Sequence, residues 1–268
     1  MEFTDNELHR YARHIVLPEV GGIGQAKLME ARVLVVGAGG LGAPLLMYLA
    51  AAGVGVIGVV DDDVVDLSNL QRQVIHGTRQ IGNAKVQSAR EAVANINPEI
   101  QLIAHEERVT AKNVMGLIGD YEIIADGSDN FETRFLLNDA CHLVGKILVS
   151  AAILRFEGQL ATFKSGLGRE FPCYRCLYPN PPPPGMIPSC AEGGVLGALA
   201  GVMGSLQTTE ILKEIMGIGD SMAGSLLIYD ALSTTFRNMK LKPDPGCPLC
   251  GDAPTIKDLS VHSEGLGG

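Results

Sequence analysis

Two pairs of cysteines have the spacing of a metal site. Cys173 and Cys176 form one Cys-x-x-Cys pair, and Cys247 and Cys250 form the other. Four thiolates at this spacing favour tetrahedral Zn²⁺ with no open coordination position, which would make the site structural. A redox dithiol needs one pair at a helix N-terminus, whereas both pairs are predicted to lie in turns rich in proline and glycine. We therefore expect zinc that attaches a C-terminal hairpin to the body of the protein.

The two remaining cysteines differ in their surroundings. Cys141 lies within an apolar helical stretch and is expected to be a small core residue. Cys190 follows a proline-rich loop and precedes a pair of glycines, and a cysteine on an exposed loop is a candidate nucleophile. Nothing near Cys190 in the sequence ensures a lowered thiol pKa, so its covalent role is left open.

A cluster of hydrogen-bond donors could bind phosphate. Residues 66–73 are polar and irregular, and Asn69, Arg72 and Gln73 can each donate to phosphate oxygens, Arg72 through a bidentate fork. Lys85 falls in the first turn of the next predicted helix, where a cation opposes the helix dipole. An anionic ligand would explain a lysine at that position.

A carboxylate and an amide follow a buried strand further along the chain. The strand predicted over 121–126 is followed by Asp129 and Asn130. Asp129 could hold Mg²⁺ against phosphates, since Mg²⁺ keeps most of its waters and needs only one or two carboxylates. Asp129 could also cap the helix that begins near Phe131, and the two roles are compatible.

A strand, a glycine turn and a helix position these side chains. An apolar, β-branched run over 33–36 stops at Gly37, Gly39 and Gly42, which fit the pattern G-x-G-x-x-G, and an apolar helix follows over 41–52. Such a turn lets backbone N–H groups approach an anion that the helix dipole stabilises. The alternative is a glycine turn that only packs the helix on the strand.

A second strand adds an acidic residue at the expected distance. The strand predicted over 54–60 ends at Asp61, Asp62 and Asp63. This is close to the spacing at which an acid takes a ribose hydroxyl in a dinucleotide-binding unit. The two strands, the glycine turn and the acid together predict a site for an adenine nucleotide.

The N-terminal segment presents two arginines on one face. Residues 5–17 are predicted to form a helix with Asp5 as its N-cap. Arg10 and Arg13 are three residues apart, so they project from the same side of that helix. Two solvated arginines would give the same pattern as an anion-binding pair.

The order of elements predicts an α/β fold. Strands alternate with helices as far as residue 144, and later strands show period-two polarity, so we expect a Rossmann-like doubly wound sheet that is parallel and then antiparallel. A hairpin over 225–241 would be clipped by the zinc. The expected segments are a helical arm over 1–31, a nucleotide-binding core over 32–172, a crossover loop, helix and zinc-bound part over 173–251, and a flexible tail over 252–268.

Composition narrows the class of protein. The chain has 268 residues, 46% of them hydrophobic and 19% charged, so it can bury a large core. The net charge of -9 argues against non-specific nucleic-acid binding. No apolar run reaches the length of a membrane span, and the first ten residues lack the apolar core of a signal peptide. We expect a cytoplasmic protein with no nucleic-acid or membrane partner.

Taken together, these motifs resemble the MoeB/ThiF family. Its members are adenylyltransferases that activate ubiquitin-like sulfur carrier proteins, and they are relatives of the ubiquitin-activating enzymes. The resemblance covers residues 5–251, and Ser68-Asn-Leu-Gln-Arg-Gln73 is its most specific motif. The other motifs that carry it are Arg10-Tyr-x-Arg13, the glycine turn, Lys85, Asp129-Asn130 and the two cysteine pairs. Glu157-Gly-Gln159 and Met239-Lys-Leu-Lys242 resemble the molybdopterin-synthase branch.

The resemblance implies an ATP-dependent reaction. The C-terminal Gly-Gly carboxylate of the carrier attacks the α-phosphate of ATP, which gives an acyl-adenylate and pyrophosphate. Because the carrier provides the nucleophile, no histidine is needed as a base. Arg13 is expected to reach the triphosphate bound to the partner subunit, which implies a homodimer. The remaining implied contacts are Gly40 with the nucleotide, Asp61 with the ribose, Asn69, Arg72 and Lys85 with phosphates, Asp129 with Mg²⁺, and Asp63, Gln73 and Asn130 elsewhere around ATP.

The resemblance leaves the sulfur chemistry open. Cys190 corresponds to the loop cysteine of the family, which can bond to the carrier tail in thiamine-type relatives and is dispensable in molybdopterin-type ones. No rhodanese-like domain follows residue 251, so we expect a separate sulfur donor. The alternatives are the same reaction on the thiamine carrier, a tRNA-modifying relative, and a nicotinamide-dependent oxidoreductase. The last alternative leaves Arg72, Lys85 and Asp129 unexplained.

Overall fold

The strands form a single mixed sheet. The structure, a computed structural model, describes residues 3–183, 186 and 190–262, with the backbone alone at residues 190 and 191. Within that part of the chain the strands are β1 (Arg32–Val36), β2 (Val56–Val60), β3 (Gln101–His105), β4 (Ile123–Asp126), β5 (Ile147–Leu154), β6 (Glu157–Phe163), β7 (Ser225–Asp230) and β8 (Thr235–Lys240).

The strand order confirms the predicted doubly wound sheet. The order across the sheet is β3-β2-β1-β4-β5-β6-β7-β8. The five strands from β3 to β5 pair in parallel, and β6, β7 and β8 continue the sheet in antiparallel pairing. The hairpin of β7 and β8 therefore extends the same sheet that carries the parallel strands.

Helices cover both faces of the sheet. They are α1 (Asp5–Ile15), α2 (Gly21–Glu30), α3 (Gly42–Ala52), α4 (Lys85–Ile96), α5 (Val114–Gly119), α6 (Phe131–Val144), α7 (Tyr174–Leu177), α8 (Cys190–Gly193) and α9 (Gly197–Met216). Thr4 caps α1, because its hydroxyl accepts from Glu7 N while the Glu7 carboxylate accepts from Thr4 N. The N-cap is therefore Thr4, and the prediction of Asp5 was wrong by one residue.

The central strand explains why the run over 33–36 is apolar throughout. Val33 and Val35 pack in the cluster that contains α3 and α9, whereas Leu34 and Val36 pack in the cluster that contains α5 and α6. Successive side chains of a strand point to opposite faces. Both faces of this run are therefore covered by apolar clusters, which is why it shows no alternation of polar and apolar residues.

The chain changes direction between β1 and β4. From β1 it passes to β2 and β3 on one side, and it then returns to place β4 on the other side of β1. Ligands of open α/β sheets bind beside such a switch point, at the carboxyl ends of the strands. The residues that follow β1, β2 and β4 therefore lie where such a sheet binds its ligand. No helix within the described ranges is both long and apolar enough to span a bilayer.

The segment after residue 251 packs on the body of the protein. His262 Nε2 lies 2.7 Å from Asp139 Oδ2 on α6, and Leu259 packs against the cluster that contains this helix. Residues 252–262, expected to belong to a flexible tail, therefore contact the body of the protein through His262 and Leu259. The rest of the expected tail, residues 263–268, lies outside the described residues.

Candidate functional site

The glycine turn joins β1 to α3 beside the switch point. Gly37 has a φ of +96°, in the left-handed region that glycine favours. A Cβ on Gly42 would overlap the carbonyl oxygen of Gly37, so this close approach requires glycine. Ala38 N donates to Asp61 Oδ2 over 2.7 Å. The turn is thereby fixed to the end of β2.

A cavity of about 670 Å³ lies at the carboxyl ends of β1, β2 and β4. Its volume is within the range of small-molecule sites, roughly 300–1,000 Å³. The predicted nucleotide-site residues that line it are Gly40, Asp61, Asp63, Arg72, Gln73, Lys85, Asp129 and Asn130. The sheet topology has thus brought together groups that are up to 90 residues apart in the sequence (Gly40 and Asn130).

Three residues predicted for catalysis or nucleotide binding are not among the described residues that line the cavity. Asn69 does not line the cavity but contacts Arg72, which does. Arg13 is exposed on α1 and does not line the cavity of its own chain. The side chain of Cys190 lies outside the described residues, so its predicted role stays a prediction.

Arg72 is held by its own segment. Its Nη2 donates to Asn69 Oδ1 over 2.8 Å, and the turn is fixed by Asp66, which accepts from Ser68 N over 2.8 Å. Asn69 therefore orients the guanidinium. Gln73 is 4% exposed, and its Oε1 has no hydrogen-bond partner in the described part of the chain. A buried amide oxygen without a partner is costly, so Gln73 is suited to accept from a ligand donor.

Lys85 is a buried cation at the edge of the cavity. Its side chain is 6% exposed, and its Nζ lies 2.8 Å from Asp63 Oδ2. Lys85 N also donates to Asp63 O over 2.9 Å, so backbone and side chain bind the same residue. Asp63, predicted as a nucleotide contact, here pairs with Lys85.

Asp61 is poised between the turn and Lys85. Its Oδ1 accepts from Asp63 N over 2.9 Å, and its Oδ2 accepts from Ala38 N. Burial raises the pKa of Asp61 above its ordinary value, and this outweighs the opposing effects of the Lys85 charge and the two backbone donors. Each carboxylate oxygen retains a second lone pair, so Asp61 can still accept from a ligand hydroxyl.

Asp129 and Asn130 have different roles. Asn130 caps α6, since its Oδ1 accepts from Thr133 N over 2.8 Å. The suggestion that Asp129 caps this helix was therefore wrong. Asp129 is exposed on the cavity wall, and its carboxylate makes no hydrogen bond or ion pair with another described residue. Because Asp129 does not cap the helix, its carboxylate oxygens are available to a cation.

Arg134 supports the loop that carries Asp129 and was not predicted. Arg134 is 6% exposed; its Nε lies 3.2 Å from the buried Asp126 Oδ2, and its Nη2 donates to Ser128 O over 3.1 Å. It also lines the cavity. A sequence signal did exist, because Arg134 is a cation four residues after Asn130 in a helix that is otherwise largely apolar there.

A further part of the cavity wall comes from β5, β6 and the residues after α7. Gln159, Tyr178, Asn180 and Pro182 line it. Tyr178 Oη donates to Gln159 Oε1 over 3.4 Å, which ties the start of the crossover loop to β6. The cavity therefore extends beyond the nucleotide-site residues towards this loop.

The four predicted zinc cysteines are brought together. Their Sγ atoms all lie within 4.8 Å of one another, with Cys173 3.5 Å from Cys247 and Cys176 3.3 Å from Cys250. Hydrogen bonds from neighbouring thiols, Cys173 first, lower the pKa of Cys176 to about 7. This cluster is compatible with zinc, and it joins the residues after β8 to those before the crossover loop.

One detail of the cysteine prediction was wrong. Cys173 is the N-cap of α7 (Tyr174–Leu177), so one pair does lie at a helix N-terminus. That helix is only four residues long. All four thiols nevertheless lie in one cluster. This clustering favours a metal site over a redox dithiol, whereas the location of each pair in a turn does not decide between them.

A buried ion pair lies behind the cysteine cluster. Arg175 donates from Nε to Asp139 Oδ1 over 2.8 Å and from Nη2 to Asp139 Oδ2 over 2.7 Å. Arg175 Nη1 also donates to Pro179 O over 3.0 Å. The segment between the cluster and the crossover loop is therefore fixed to α6 by one guanidinium.

Comparison with known proteins identifies the family. The profile of the ThiF family matches residues 11–249. The chain belongs to the ThiF family. The match includes Arg13, the glycine turn, the cavity residues and Cys247, so the site lies within the family domain.

Individual relatives have consistent names. The chain is 49% identical over 261 residues to the sulfur carrier protein adenylyltransferase of Thermus thermophilus, covering 97% of this chain and 96% of that protein. It is 54% identical to the probable adenylyltransferase/sulfurtransferase MoeZ of Mycobacterium tuberculosis, over 90% of this chain and 62% of that protein. It is 50% identical to the adenylyltransferase and sulfurtransferase MOCS3 of Bos taurus, over 97% of this chain and 57% of that protein. These relatives identify the chain as an adenylyltransferase.

Solved structures share the fold. Escherichia coli MccB superposes with a TM-score of 0.81 at 18% identity, covering 92% of this chain and 76% of that chain. PaaA superposes with a TM-score of 0.76 at 19% identity, covering 90% of this chain and 76% of that chain. At this level of identity the comparison supports the sheet and helix arrangement and nothing finer.

Proposed function

We propose that this chain adenylates the C-terminal Gly-Gly carboxylate of a ubiquitin-like sulfur carrier protein. The products are the acyl-adenylate and pyrophosphate, and the favoured carrier is of the molybdopterin-synthase type. The thiamine carrier is the alternative substrate, supported by the same motifs. The observation that carries the proposal is the convergence of Arg72, Lys85 and Asp129 with the glycine turn in one cavity of a ThiF-family chain.

The protein groups in the cavity suit adenylyl transfer. A carboxylate oxygen of the carrier bonds to the α-phosphorus of ATP, and the bond from that phosphorus to the bridging oxygen of pyrophosphate breaks. Negative charge grows on the departing pyrophosphate and on the α-phosphoryl oxygens. Arg72 and Lys85 would stabilise that charge, and the N–H groups of the glycine turn would bind phosphate oxygens. The nucleophile is already ionised at pH 7, so no protein base is required.

Other residues of the same cavity would bind the rest of the ATP molecule. Asp61 would accept from a ribose hydroxyl, and Gly40 would allow the backbone to approach the phosphates. Gln73 would accept from a ligand donor through its unpaired Oε1. Asn69, Asp63 and Asn130 would act through neighbours: Asn69 orients Arg72, Asp63 pairs with Lys85, and Asn130 caps α6.

Two metal ions are part of the proposal. Asp129 would hold Mg²⁺, because its carboxylate is exposed in the cavity and is not used as a helix cap. Bound Mg²⁺ would neutralise phosphate charge. Zn²⁺ would be held by Cys173, Cys176, Cys247 and Cys250, which offer four sulfurs and therefore a closed tetrahedral site. That zinc would stabilise the fold and take no part in the reaction.

The sulfur atom would come from a separate donor. Among the cysteines whose side chains are described, four form the metal cluster, and Cys141 is buried with its thiol pKa raised by that burial. A buried thiol with a raised pKa is a poor nucleophile. Cys190 remains a candidate for a covalent bond to the carrier tail, and replacing it with serine would test that role.

We also propose a homodimer in which Arg13 serves the site of the partner subunit. Arg13 is exposed, makes no hydrogen bond or ion pair with another described residue, and does not line the cavity of its own chain. In the proposed dimer this exposed guanidinium would reach the phosphates bound by the partner subunit. The dimer accounts for Arg13 without moving α1.

Carrier-dependent exchange of pyrophosphate into ATP tests the function. Purified protein with ATP, Mg²⁺ and labelled pyrophosphate is assayed separately with a molybdopterin-type and a thiamine-type carrier. The matched controls are the same carriers lacking the terminal Gly-Gly. We expect exchange with the intact molybdopterin-type carrier and none with the truncated one.

Other outcomes assign the function differently. Exchange with the thiamine-type carrier alone would move the chain to that pathway. ATP binding without exchange on either carrier would contradict the carrier proposal and favour a tRNA-modifying relative, which could then be tested with RNA substrates.

A further inference from the structure

One buried histidine bonds to two different elements of the nucleotide site. His76 is 7% exposed and follows the segment that contains Arg72. Its Nε2 lies 2.9 Å from Ala38 O in the glycine turn, and its Nδ1 lies 2.8 Å from Ser88 Oγ on α4. Both ring nitrogens are therefore occupied by the protein.

The partners determine the protonation of the ring. A carbonyl oxygen can only accept, so Nε2 must carry a proton and donate it to Ala38 O. In a neutral ring Nδ1 is then the acceptor, and the Ser88 hydroxyl donates to it. Burial lowers the pKa of His76, and the nearby Lys85 charge lowers it further against the opposing bond to Ala38 O. His76 is thus neutral at pH 7, in the tautomer protonated on Nε2.

Each bond of His76 reaches an element with a phosphate-binding group. Ala38 belongs to the glycine turn. Ser88 lies three residues after Lys85, hence on the same side of α4. His76 N donates to Gln73 O over 3.0 Å, which closes the turn after Arg72. One imidazole therefore joins the glycine turn, the Arg72 segment and the first turn of α4.

We propose that His76 is a positioning residue for adenylyl transfer. It fixes the spacing between the glycine turn, the Arg72 segment and Lys85, so that all three reach the same triphosphate. His76 does not line the cavity, and it acts through Ala38 and Ser88 rather than on the substrate. The inference rests on the proposed nucleotide site. It gives a role to a histidine in a reaction that needs no histidine base.

Two amide variants separate the two bonds. A glutamine amide can occupy the place of Nε2, so His76→Gln keeps the bond to Ala38 O and loses the one to Ser88. An asparagine amide is shorter and reaches only the Nδ1 position, so His76→Asn loses the bond to Ala38 O. His142→Asn is the matched control, because His142 also bonds a serine, Ser165, over 2.9 Å, at the far end of α6.

The measurements are the ATP affinity by calorimetry and the melting temperature of each full-length variant with its zinc. We expect His76→Asn to weaken ATP binding about tenfold, as the loss of one well-placed hydrogen bond implies. His76→Gln should weaken ATP binding by only about threefold, because it keeps the bond to the glycine turn and loses the one to Ser88, and His142→Asn should leave the affinity unchanged. Lower melting temperatures with equal ATP affinity in all variants would mean a purely structural residue and would overturn the proposal.

Calorimetry also separates this inference from the proposed function. If the wild-type protein fails to bind ATP, the proposed function and the role of His76 are both overturned. If the wild type binds ATP and His76→Asn binds it equally well, only the role of His76 is overturned.

A spectroscopic measurement on the wild type covers the case in which His76→Asn does not fold. Long-range ¹H–¹⁵N correlation spectra of the imidazole should show a neutral ring protonated on Nε2 at pH 7, with solvent exchange of that proton slowed by ATP. A ring protonated on Nδ1 alone, or an exchange rate that ATP leaves unchanged, would overturn the proposal.

Discussion

The Lys85 ammonium lies 2.8 Å from the Asp63 carboxylate, and the lysine side chain is 6% exposed while the aspartate side chain is 69% exposed. A buried ammonium without a partner is costly, and Asp63 provides that partner, which holds the Lys85 side chain in place before a ligand arrives. Because water reaches the carboxylate, it can turn towards solvent at little cost when a phosphate takes over the ammonium. This difference in exposure between the two side chains suits a lysine that binds a ligand.

Lys85→Met should reduce pyrophosphate exchange by at least 100-fold. The variant keeps the volume of the buried stem and removes the charge, and a charge-assisted hydrogen bond contributes about 1.5–3 kcal/mol, with more lost in the transition state. Asp63→Asn should have a smaller effect, within about tenfold, because the asparagine keeps a side-chain oxygen that can accept a hydrogen bond from Lys85 Nζ. The rate of pyrophosphate exchange at a saturating concentration of carrier measures the effect of each variant.

The control for Lys85 is an exposed lysine away from the cavity. Lys112→Met removes a charge from the surface and should leave exchange within twofold of the wild type, as is usual for isolated surface substitutions. Equal losses in Lys112→Met and Lys85→Met would show that net charge, and not the position of Lys85, controls the rate.

Cys247→Ser should release the metal and destabilise the chain. Structural zinc contributes roughly 10–16 kcal/mol of apparent binding energy that is coupled to folding, so the loss of one ligand should lower the melting temperature strongly. Metal analysis of purified protein should find about one zinc per chain in the wild type and little in the variant. Cys141→Ala, which lies outside the cluster, should keep its zinc. Full zinc content in Cys247→Ser would contradict a four-cysteine site.

The position of the cations could be predicted from sequence because it follows from topology. Arg72 and Lys85 follow β2, whose carboxyl end must meet those of β1 and β4 at one edge of the parallel sheet. The apolar run of β1 and the glycine turn identify that edge. Residue types and their order along the chain were therefore sufficient to bring these groups into one cavity.

The pairings within the cavity could not be predicted in the same way. Asp61, Asp62 and Asp63 are adjacent and chemically identical, so only coordinates distinguish the one that pairs with Lys85. Asp129 and Asn130 both favour an N-cap, and the backbone at the start of α6 selects Asn130. These choices depend on distances of an ångström or two, which residue spacing does not determine.

Contacts between distant segments were missed for another reason. His262 bonds to Asp139, 123 residues earlier in the chain, and its surrounding sequence is polar and aperiodic. A segment without hydrophobic periodicity is predicted to be flexible. Nothing local in the sequence indicates that a buried carboxylate on α6 is the partner of His262.

Asp139→Asn should cost about 3–5 kcal/mol of stability at pH 7, because it leaves the buried Arg175 charge without its counter-ion. Burial alone would raise the pKa of Asp139, but the bonds from His262 and Arg175 and the charge of Arg175 outweigh it and hold that pKa below the ordinary value of 3.8. A lowered carboxyl pKa stabilises the fold above that ordinary value, and the contribution is lost as the pH falls through the folded-state pKa.

The pH dependence of unfolding tests this pair. In denaturant melts from pH 7 to pH 2.5, the difference in unfolding free energy between the wild type and Asp139→Asn should be constant above about pH 5 and should shrink below about pH 4. Asp252→Asn changes an exposed carboxylate in a 3.8 Å ion pair and should show no such difference. If the difference in unfolding free energy between the wild type and Asp139→Asn is the same at pH 2.5 as at pH 7, the charge of Asp139 does not stabilise the fold.

The Arg13→Ala variant and the Lys85→Met variant should each lose pyrophosphate exchange when purified alone. Exchange should return when the two chains are co-expressed and purified as a mixture. If Arg13 acts on the site of the partner, a mixed dimer holds one site with both cations intact, and random pairing predicts about a quarter of the wild-type rate. A mixture of Arg72→Ala and Lys85→Met chains should stay inactive, because Arg72 and Lys85 line the same cavity of one chain and every site then lacks one of them. Exchange that is not restored with Arg13→Ala would show that Arg13 acts within its own subunit, and α1 would then have to move towards the cavity during the reaction.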